Sequence, residues 1–194
     1  MAIRFAREAD IPQILAIYAP YVTGTTFSFE YEVPSLEVFT QRFLNITAQF
    51  PWLVWEEDGL ILGYAYASAP FARAAYQWCC EPSIYLLPHI QGQGIGKKLY
   101  TVLEALLRMQ GYQLSYAIIT SENTASLAFH KAMGYSHLAD FPGCGFKHGR
   151  CLGITWLQKR LNAVEIPSKA PVNVAFVVKS DRNFAEILDN LSLS

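Results

Sequence analysis

The stretch Gln91-Gly92-Gln93-Gly94-Ile95-Gly96 constrains this chain more than any other. Its three glycines at alternate positions make a loop with little side-chain bulk. Directly behind it, residues 97–108 place apolar side chains at 99, 102, 103, 106 and 107, the spacing of a one-faced helix. Gly111 is a fitting helix stop. Ahead of the loop, Ser83-Ile84-Tyr85-Leu86-Leu87 is a strand-like run closed by Pro88. The order is strand, glycine loop, helix. The first turn of a helix offers free N–H groups and a positive dipole end, and glycines let a phosphate approach the backbone. The pattern predicts a pyrophosphate cradle. On spacing alone, a plain strand-to-helix turn is the alternative.

Two common phosphate signatures fail here. A Walker loop ending at Gly96-Lys97 needs glycine at 91 and Ser or Thr at 98, where Gln91 and Lys98 stand. The dinucleotide fingerprint started at Gly92 needs glycine at 97, where Lys97 stands. A second block lies downstream, Asn123-Thr124-Ala125-Ser126-Leu127-Ala128-Phe129-His130-Lys131-Ala132-Met133-Gly134-Tyr135. Together, Gln91-x-x-Gly94-x-Gly96 and this N-x-x-S…GY segment resemble the coenzyme A loop and following helix of the GCN5-related N-acetyltransferases. Pro51-Trp52-Leu53-Val54, Ala72-Arg73-x-Ala75-Tyr76-x-Trp78, Glu81-x-Ser83-x-Tyr85 and Gly145-Phe146-Lys147-His148-Gly149 narrow the resemblance to phosphinothricin and methionine sulfoximine acetyltransferases. It runs from about residue 1 to about residue 161.

The resemblance implies a mixed α/β fold, a mostly antiparallel central sheet flanked by helices, in a domain over residues 1–161. Residues 162–194 form an extension of unassigned role. It implies acetyl-CoA as co-substrate, no metal, a small amine as acceptor, and a homodimer. Coenzyme A falls to Ile84, Tyr85, Leu86, Gln91, Gly92, Gln93, Gly94, Ile95, Gly96, Asn123 and Ser126. The acceptor falls to Phe29, Arg73, Tyr76 and Ser83. Glu81 and His130 are the catalytic candidates. The sequence departs from its relatives at Phe71, where phosphinothricin-specific members carry a basic residue, and at Gly92 and Gln93, where the loop often has one.

Acetyl transfer to an amine has its own requirements. The acceptor is mostly protonated at neutral pH and must lose a proton before it attacks, so a general base is needed. The thioester oxygen gains charge and needs N–H donors. Residues 81, 83 and 85 share one strand face unless Pro82 breaks the alternation. In an aromatic, partly buried setting the pKa of Glu81 should rise toward neutral; a solvent-facing strand carboxylate is the alternative. His130 sits four residues after Ser126, on the same helix face, as proton relay, hydrogen-bond donor or plain helix residue. Asn123 is a helix cap, a ligand of the pantetheine arm, or both. Arg73 suits a carboxylate or phosphinate through paired donors. Lys147 is either a compensating second cation or part of a polar turn.

Composition closes off other classes. With 194 residues, 52% hydrophobic and 16% charged, the chain reads as one globular domain. A net charge of −1 offers no basic field for nucleic acid. No apolar run approaches a membrane span, and residues 1–8 lack a signal-peptide core. Cysteines at 79, 80, 144 and 151 form no C-x-x-C pair, so free thiols in a reducing cytoplasm are expected and zinc is not.

In chain order, residues 3–6 read as a strand. A helix with Asp10 as cap and Pro12 in its first turn follows, with Ile11, Ile14, Leu15 and Tyr18 on one face, ended by Pro20. Residues 23–30 read as an ordered loop. Ser35 caps a second helix with Leu36, Phe39, Phe43 and Leu44 on its core face. Asp58-Gly59 joins a hairpin of residues 51–55 and 60–67. Residues 77–87 read as one strand in which Pro82 demands a bulge, an edge or a break. Residues 114–120 are a buried strand, Asn123 to Gly134 a short helix, and 146–161 a hairpin turning at 148–149. In the tail, 167–171 read as a linker, 172–178 as a strand and 180–191 as a capped helix. Three rivals stay open: a protein or polyamine acetyltransferase, a non-catalytic CoA-binding sensor, and a nucleotide-binding module.

Overall fold

The structure, a computed structural model, describes residues 2–163 and 169–180. Seven strands form one sheet: β1 (Ala2–Phe5), β2 (Trp52–Glu57), β3 (Leu60–Ser68), β4 (Cys79–Leu86), β5 (Leu114–Thr120), β6 (Ser136–Lys147) and β7 (Arg150–Arg160). Their spatial order is β1-β2-β3-β4-β5-β7-β6. Every neighbouring pair is antiparallel except β4 and β5. The helices are α1 (Ile11–Gly24), α2 (Leu36–Thr47), α3 (Ile95–Gln110), α4 (Thr124–Ala132) and α5 (Val174–Ser180). This is the mixed α/β fold with a mostly antiparallel sheet that the sequence predicts.

Two apolar layers sandwich the sheet. On one face, α1 and α2 bring Ile14, Tyr18, Phe39 and Phe43 against Trp52, Val54 and Tyr64. On the other, Leu99, Leu103, Leu106 and Leu107 of α3 meet Leu53, Ala65, Cys80, Ala117 and Leu157. The period of α3 therefore buries its apolar stripe as predicted, and Gly111 stops it at φ 97° with its N–H on the Arg108 carbonyl. One polar residue on the stripe, Glu104, is buried and takes Lys159 Nζ of β7 at 2.5 Å. The Asp58-Gly59 turn has φ 49° and 81°, the left-handed pair that a two-residue hairpin needs.

The wedge between β4 and β5 positions everything else. These strands pair only at Cys79–Leu114 and Cys80–Ser115, then part. Pro82 follows at once and still pairs with Ala67 of β3 on its other side. Leu87 N–H bonds the Leu62 carbonyl at 2.9 Å, so odd-numbered residues of β4 direct N–H toward β3 and even-numbered ones toward β5. Pro82 is even-numbered. It has no N–H to give β5, and the ladder ends there. Of the outcomes the sequence allowed, the edge is realised: the alternation continues through Pro82, and β4 has a free side from residue 82 onward.

Several expectations are corrected. Pro20 does not end α1, which continues to Gly24. Ile17, Tyr18 and Val22 are buried around it, and this tertiary burial outweighs one lost helix bond. Leu36 and Leu44 are 50% and 39% exposed, leaving Phe39 and Phe43 as the core face of α2. β6 begins ten residues before the predicted hairpin: two irregularities, at His137/Ala139 and Phe141/Gly145, let Pro142 and the glycines into an edge strand. The predicted strand at 172–178 is helical from Val174 onward. Val174 and Val177, three apart, are buried, whereas Ala175, Phe176 and Val178 are exposed, and Asn173 Oδ1 accepts Phe176 N–H at 2.9 Å. Helical packing wins over the β-branched run because Val174 and Val177, three apart, reach the core together on one helix face, whereas a strand would point them to opposite sides. Residues 181–191 of the predicted helix and linker residues 167–168 lie outside the described residues.

The segment 169–180 is tied to the body by Val172 N–H to Gln110 O at 2.9 Å, Val174 N–H to Gln49 O at 3.1 Å and Trp78 Nε1 to Lys169 O at 3.0 Å. Val177→Asp is expected to release it. Losing the burial of one valine alone costs about 1.5 kcal/mol, so Tm should fall by roughly 3 °C or more. Limited proteolysis should then cut first within 169–180, and an unchanged Tm and cleavage pattern would refute the docking.

Candidate active site

The parted strands leave a groove that runs from the glycine loop to the sheet. Its outer part, about 400 Å³, is lined by Ile84, Leu86, Gln91, Gly92, Gly94 and Gly96, together with Lys97, Asn123, Ser126 and Phe129. A deeper part adds Ser83, Tyr85, Tyr100, His130 and residues 117–120 of β5. Tyr21, Phe27, Ile84, Asn123 and Ser126 line both, so the two are continuous.

The glycine loop has the geometry an anion needs. Gly92 and Gly94 have φ 77° and 81°, conformations that suit glycine, and space is open above both. After Gln91 N–H, the next backbone bond is Lys98 N–H to Gly94 O at 3.1 Å, which leaves the amides of 92–97 free of partners in the described chain. No acidic residue stands in the first turn of α3. Gly96 has a different reason. A Cβ there would lie 3.3 Å from Ile84 Cδ1 and 3.5 Å from Phe129 Cε2, so it lets α3, α4 and β4 converge. Gln91 faces inward, with Nε2 3.0 Å from the Tyr21 hydroxyl, which itself donates to Leu86 O at 2.5 Å. Gln93 is turned to His89 O and Ile95 is buried in the core, so both offer the groove backbone only.

On the free side of β4, the alternation aims the N–H groups of Ile84 and Leu86 into the groove. The opposite face carries Glu81, Ser83 and Tyr85, opposite Ser68, Tyr66 and Tyr64 of β3. Tyr85 is boxed by Tyr18, Tyr21 and Tyr64 at ring distances of 4.9, 5.1 and 5.3 Å. Burial pushes the Glu81 carboxyl up to about 7, with no cation or hydrogen bond pulling it back. A carboxyl that titrates near neutrality is equipped to accept a proton from an ammonium group.

Asn123 caps α4, its Oδ1 accepting Ser126 N–H at 3.1 Å, while also lining the groove. His130 is 3% exposed. Its Nδ1 lies 2.8 Å from the Ser126 carbonyl, which only accepts, so Nδ1 carries the hydrogen. Nε2 then accepts from the Tyr100 hydroxyl at 2.8 Å. Burial lowers the pKa of His130 and keeps the ring neutral.

Other sequence candidates lie apart. Phe29 packs on Gly145, where a Cβ would come within 2.3 Å of its ring, and Phe27 is the loop aromatic that lines the groove. Arg73 precedes a short 3-10 turn, Ala74–Tyr76, and Tyr76 ends it; neither lines the groove. Phe71 packs 4.7 Å from Tyr76, 5.9 Å from Trp156 and 6.1 Å from Tyr116. Lys147 points inward to backbone carbonyls and supplies no second cation to a ligand. Sequence reasoning missed Tyr21, Phe27 and Tyr100. Tyr21 carries no local signal, Phe27 sits in an aperiodic segment, and Tyr100 reads as one more core residue of α3. Among the described residues no group of three or more His, Cys, Asp or Glu is placed to hold a metal, and no helix is long and apolar enough to cross a membrane.

Comparison with known proteins agrees with this geometry. Residues 3–156 match the family described as acetyltransferase (GNAT) domain. The chain is 40% identical over 166 residues to phosphinothricin N-acetyltransferase of Alcaligenes faecalis, covering 83% of each. It is 32% identical to the L-methionine sulfoximine/L-methionine sulfone acetyltransferase of Salmonella typhimurium, over 86% of this chain and 98% of that one. Among solved structures, a phosphinothricin acetyltransferase of Sinorhizobium meliloti in complex with acetyl-CoA superposes with TM-score 0.81 at 35% identity, covering 88% of this chain and 92% of that one. The protein belongs to the GNAT acetyltransferases and is an acetyl-CoA-dependent acetyltransferase.

Proposed function

We propose that this enzyme transfers acetyl from acetyl-CoA to the amine of a small amino-acid-like compound, by direct attack in a ternary complex. The observation that carries the reading is Glu81. It is a carboxyl raised to about 7, one residue before the stretch of β4, Pro82 to Leu86, that lines the groove ending at free helix amides.

The residues divide the work. Amides of 92–97 and Lys97 take the pyrophosphate, where the helix dipole favours negative charge. Ile84 and Leu86 N–H, left unpaired by the parting strands, meet the amide groups of the pantetheine arm. The one nearest the thioester stabilises the oxygen as it gains charge. Acetyl-CoA supplies the activated acyl group. Glu81 takes the ammonium proton, directly or through water, and the freed amine attacks. His130, with both nitrogens engaged, serves in this reading by holding Tyr100 in place at the thioester end, and the departing thiolate takes the second proton of the attacking nitrogen, through water. Ser83 orders the acceptor side through Tyr66, with which it shares a hydrogen bond. Neither Cys79 nor Cys80 has a histidine nearby in sequence to make it an acetyl carrier, which favours direct attack.

The acceptor's anionic group falls to Arg73, which makes no ion pair among the described residues. Phosphinothricin and methionine sulfoximine are acted on by relatives named above. Here Phe71 offers an aromatic wall where a basic residue would meet a second anionic group. We further take the protein as a cytoplasmic homodimer, with residues 1–161 as the catalytic domain. The four unpaired cysteines support a reducing compartment.

An amine panel with acetyl-CoA and a thiol readout tests the activity. It should give turnover with small amino acids carrying one carboxylate, and little with polyamines. Glu81→Gln should lower kcat at least about tenfold. In the wild type, kcat/KM should fall as pH drops below about 7, because the base must be deprotonated, and the variant should lose that limb. Retained turnover in Glu81→Gln would remove the base assignment.

The same carboxyl predicts a stability effect of definite sign. Its folded pKa is raised from 4.5 to about 7, so between those values the native state holds the proton more often than the unfolded chain. Stability therefore falls as pH rises through this window, by up to roughly 3 kcal/mol. Glu81→Gln should raise Tm at pH 8 and lose that advantage toward pH 4.5, measured by thermal melts across pH. An equal Tm at pH 8 would contradict burial as the cause.

A further inference from the structure

A lysine is seldom buried without a carboxylate to meet it. Lys147, the last residue of β6, is 3% exposed, and both of its hydrogen bonds go to backbone carbonyls, Val22 O and Ser28 O, each at 2.6 Å. The acidic group whose field reaches it, Glu30, is already held by Arg42 at 2.5 Å and by the Tyr18 hydroxyl at 2.9 Å. Val22 lies in the last turn of α1, where carbonyls lack helical partners and the dipole favours a cation. Ser28 lies in the loop beyond. One ammonium therefore closes the chain between them into a ring.

Phe27 stands in that ring and lines both parts of the groove. Its other neighbour is anchored as well. Thr120 Oγ1 donates to Thr26 O at 2.8 Å, and the Thr26 hydroxyl donates to Glu122. Phe27 is thus set between two fixed carbonyls, one held from β5 and one from β6.

We propose that Lys147 is a positioning residue of the transfer reaction: its buried ammonium fixes the Val22 and Ser28 carbonyls and so holds Phe27 where the CoA groove meets the reaction cavity. Lys147 touches neither substrate. It acts across the sheet through the loop. The inference rests on reading the groove as the acetyl-transfer site, and its first test does not use turnover.

In the full-length protein, Lys147→Met should speed hydrogen exchange of residues 22–30 by about tenfold or more while leaving α3 unchanged. Acetyl transfer should lose about tenfold or more in kcat/KM for the acceptor, mainly through KM. Phe27→Ala should lose a similar amount, and the double variant no more than the larger single loss, because both act through one contact. Lys147→Arg, which keeps a charged donor, should recover much of the loss. Unchanged exchange over 22–30, or single losses that multiply in the double variant, would overturn the proposal. If Lys147→Met does not fold, Lys147→Gln, which removes the charge but keeps a shorter polar side chain, enters the same cycle with Phe27→Ala under the same criteria. If the wild type acetylates no amine, the transferase reading falls, and the exchange experiment still decides the role of the lysine.

Discussion

Two strands that stop pairing after two residues are the constraint on which the rest depends. A parallel pair in the middle of a sheet is normally sustained by evenly spaced bonds. Here β4 and β5 pair at Cys79 and Cys80, and Pro82 then presents no N–H on the side that faces β5. From that point β4 behaves as an edge although it lies in the middle of the sheet order. Unpaired backbone groups are costly unless something meets them. The amides of Ile84 and Leu86 are therefore both a consequence of the opening and a reason for a ligand to fill it. The Leu86 carbonyl is the exception: the Tyr21 hydroxyl already holds it.

The electrostatics of the opening are divided between its ends. At the α3 end there is uncompensated positive potential, from free amides, the helix dipole and Lys97, with no carboxylate in the first turn. At the sheet end, an aromatic row of Tyr18, Tyr21, Tyr64 and Tyr85 displaces water. Burial, with no other cause, raises Glu81. A charged neighbour would have fixed Glu81 in one state, and desolvation without a partner leaves it near neutrality. The same burial keeps His130 neutral, and its two nitrogens are spent on Ser126 and Tyr100. His130 on the groove and Glu81 just before its β4 wall are thus driven toward neutrality by one cause, but only Glu81 keeps free hydrogen-bonding capacity.

What was legible in the sequence follows from range. The α3 stripe, the Asp58-Gly59 turn, the Ser35 and Asn123 caps and the Gly111 stop are local, and each residue's role is settled within a few positions. The shared face of 81, 83 and 85 was legible too, because a strand's period is local. Features set by distant partners were not. Pro20 reads as a helix end until Ile17 and Val22 are seen buried on either side of it. The run Val172-Asn173-Val174 reads as a strand until α3 and Gln49 are seen to take its hydrogen bonds. Phe29 and Phe27 are two aromatics in one aperiodic loop, and only contact with Gly145 decides which faces away from the groove. Lys147 could be imagined reaching a substrate because nothing near it in sequence announces the Val22 and Ser28 carbonyls.

An opened sheet raises a mechanical question, since the halves on either side of the wedge share only two ladder pairs. Below the wedge, α3 spans the gap, touching Leu53 and Ala65 on one side and Ala117 and Leu157 on the other. Above it, no helix crosses among the described residues. The loop after α1 does this work: Tyr18 and Arg42 hold its Glu30 from the near half, and from the far half it is held by Thr120 of β5, Glu122 steadied by Arg150, Lys147, and Phe146 O accepting the Tyr31 hydroxyl at 2.8 Å. A helix on this face would close the wedge as well as bridge it. A loop pinned through its carbonyls ties the halves together and leaves the groove open beneath. Irregular backbone is thus required at this point, and the lack of periodicity in residues 23–30 is the sequence trace of that requirement.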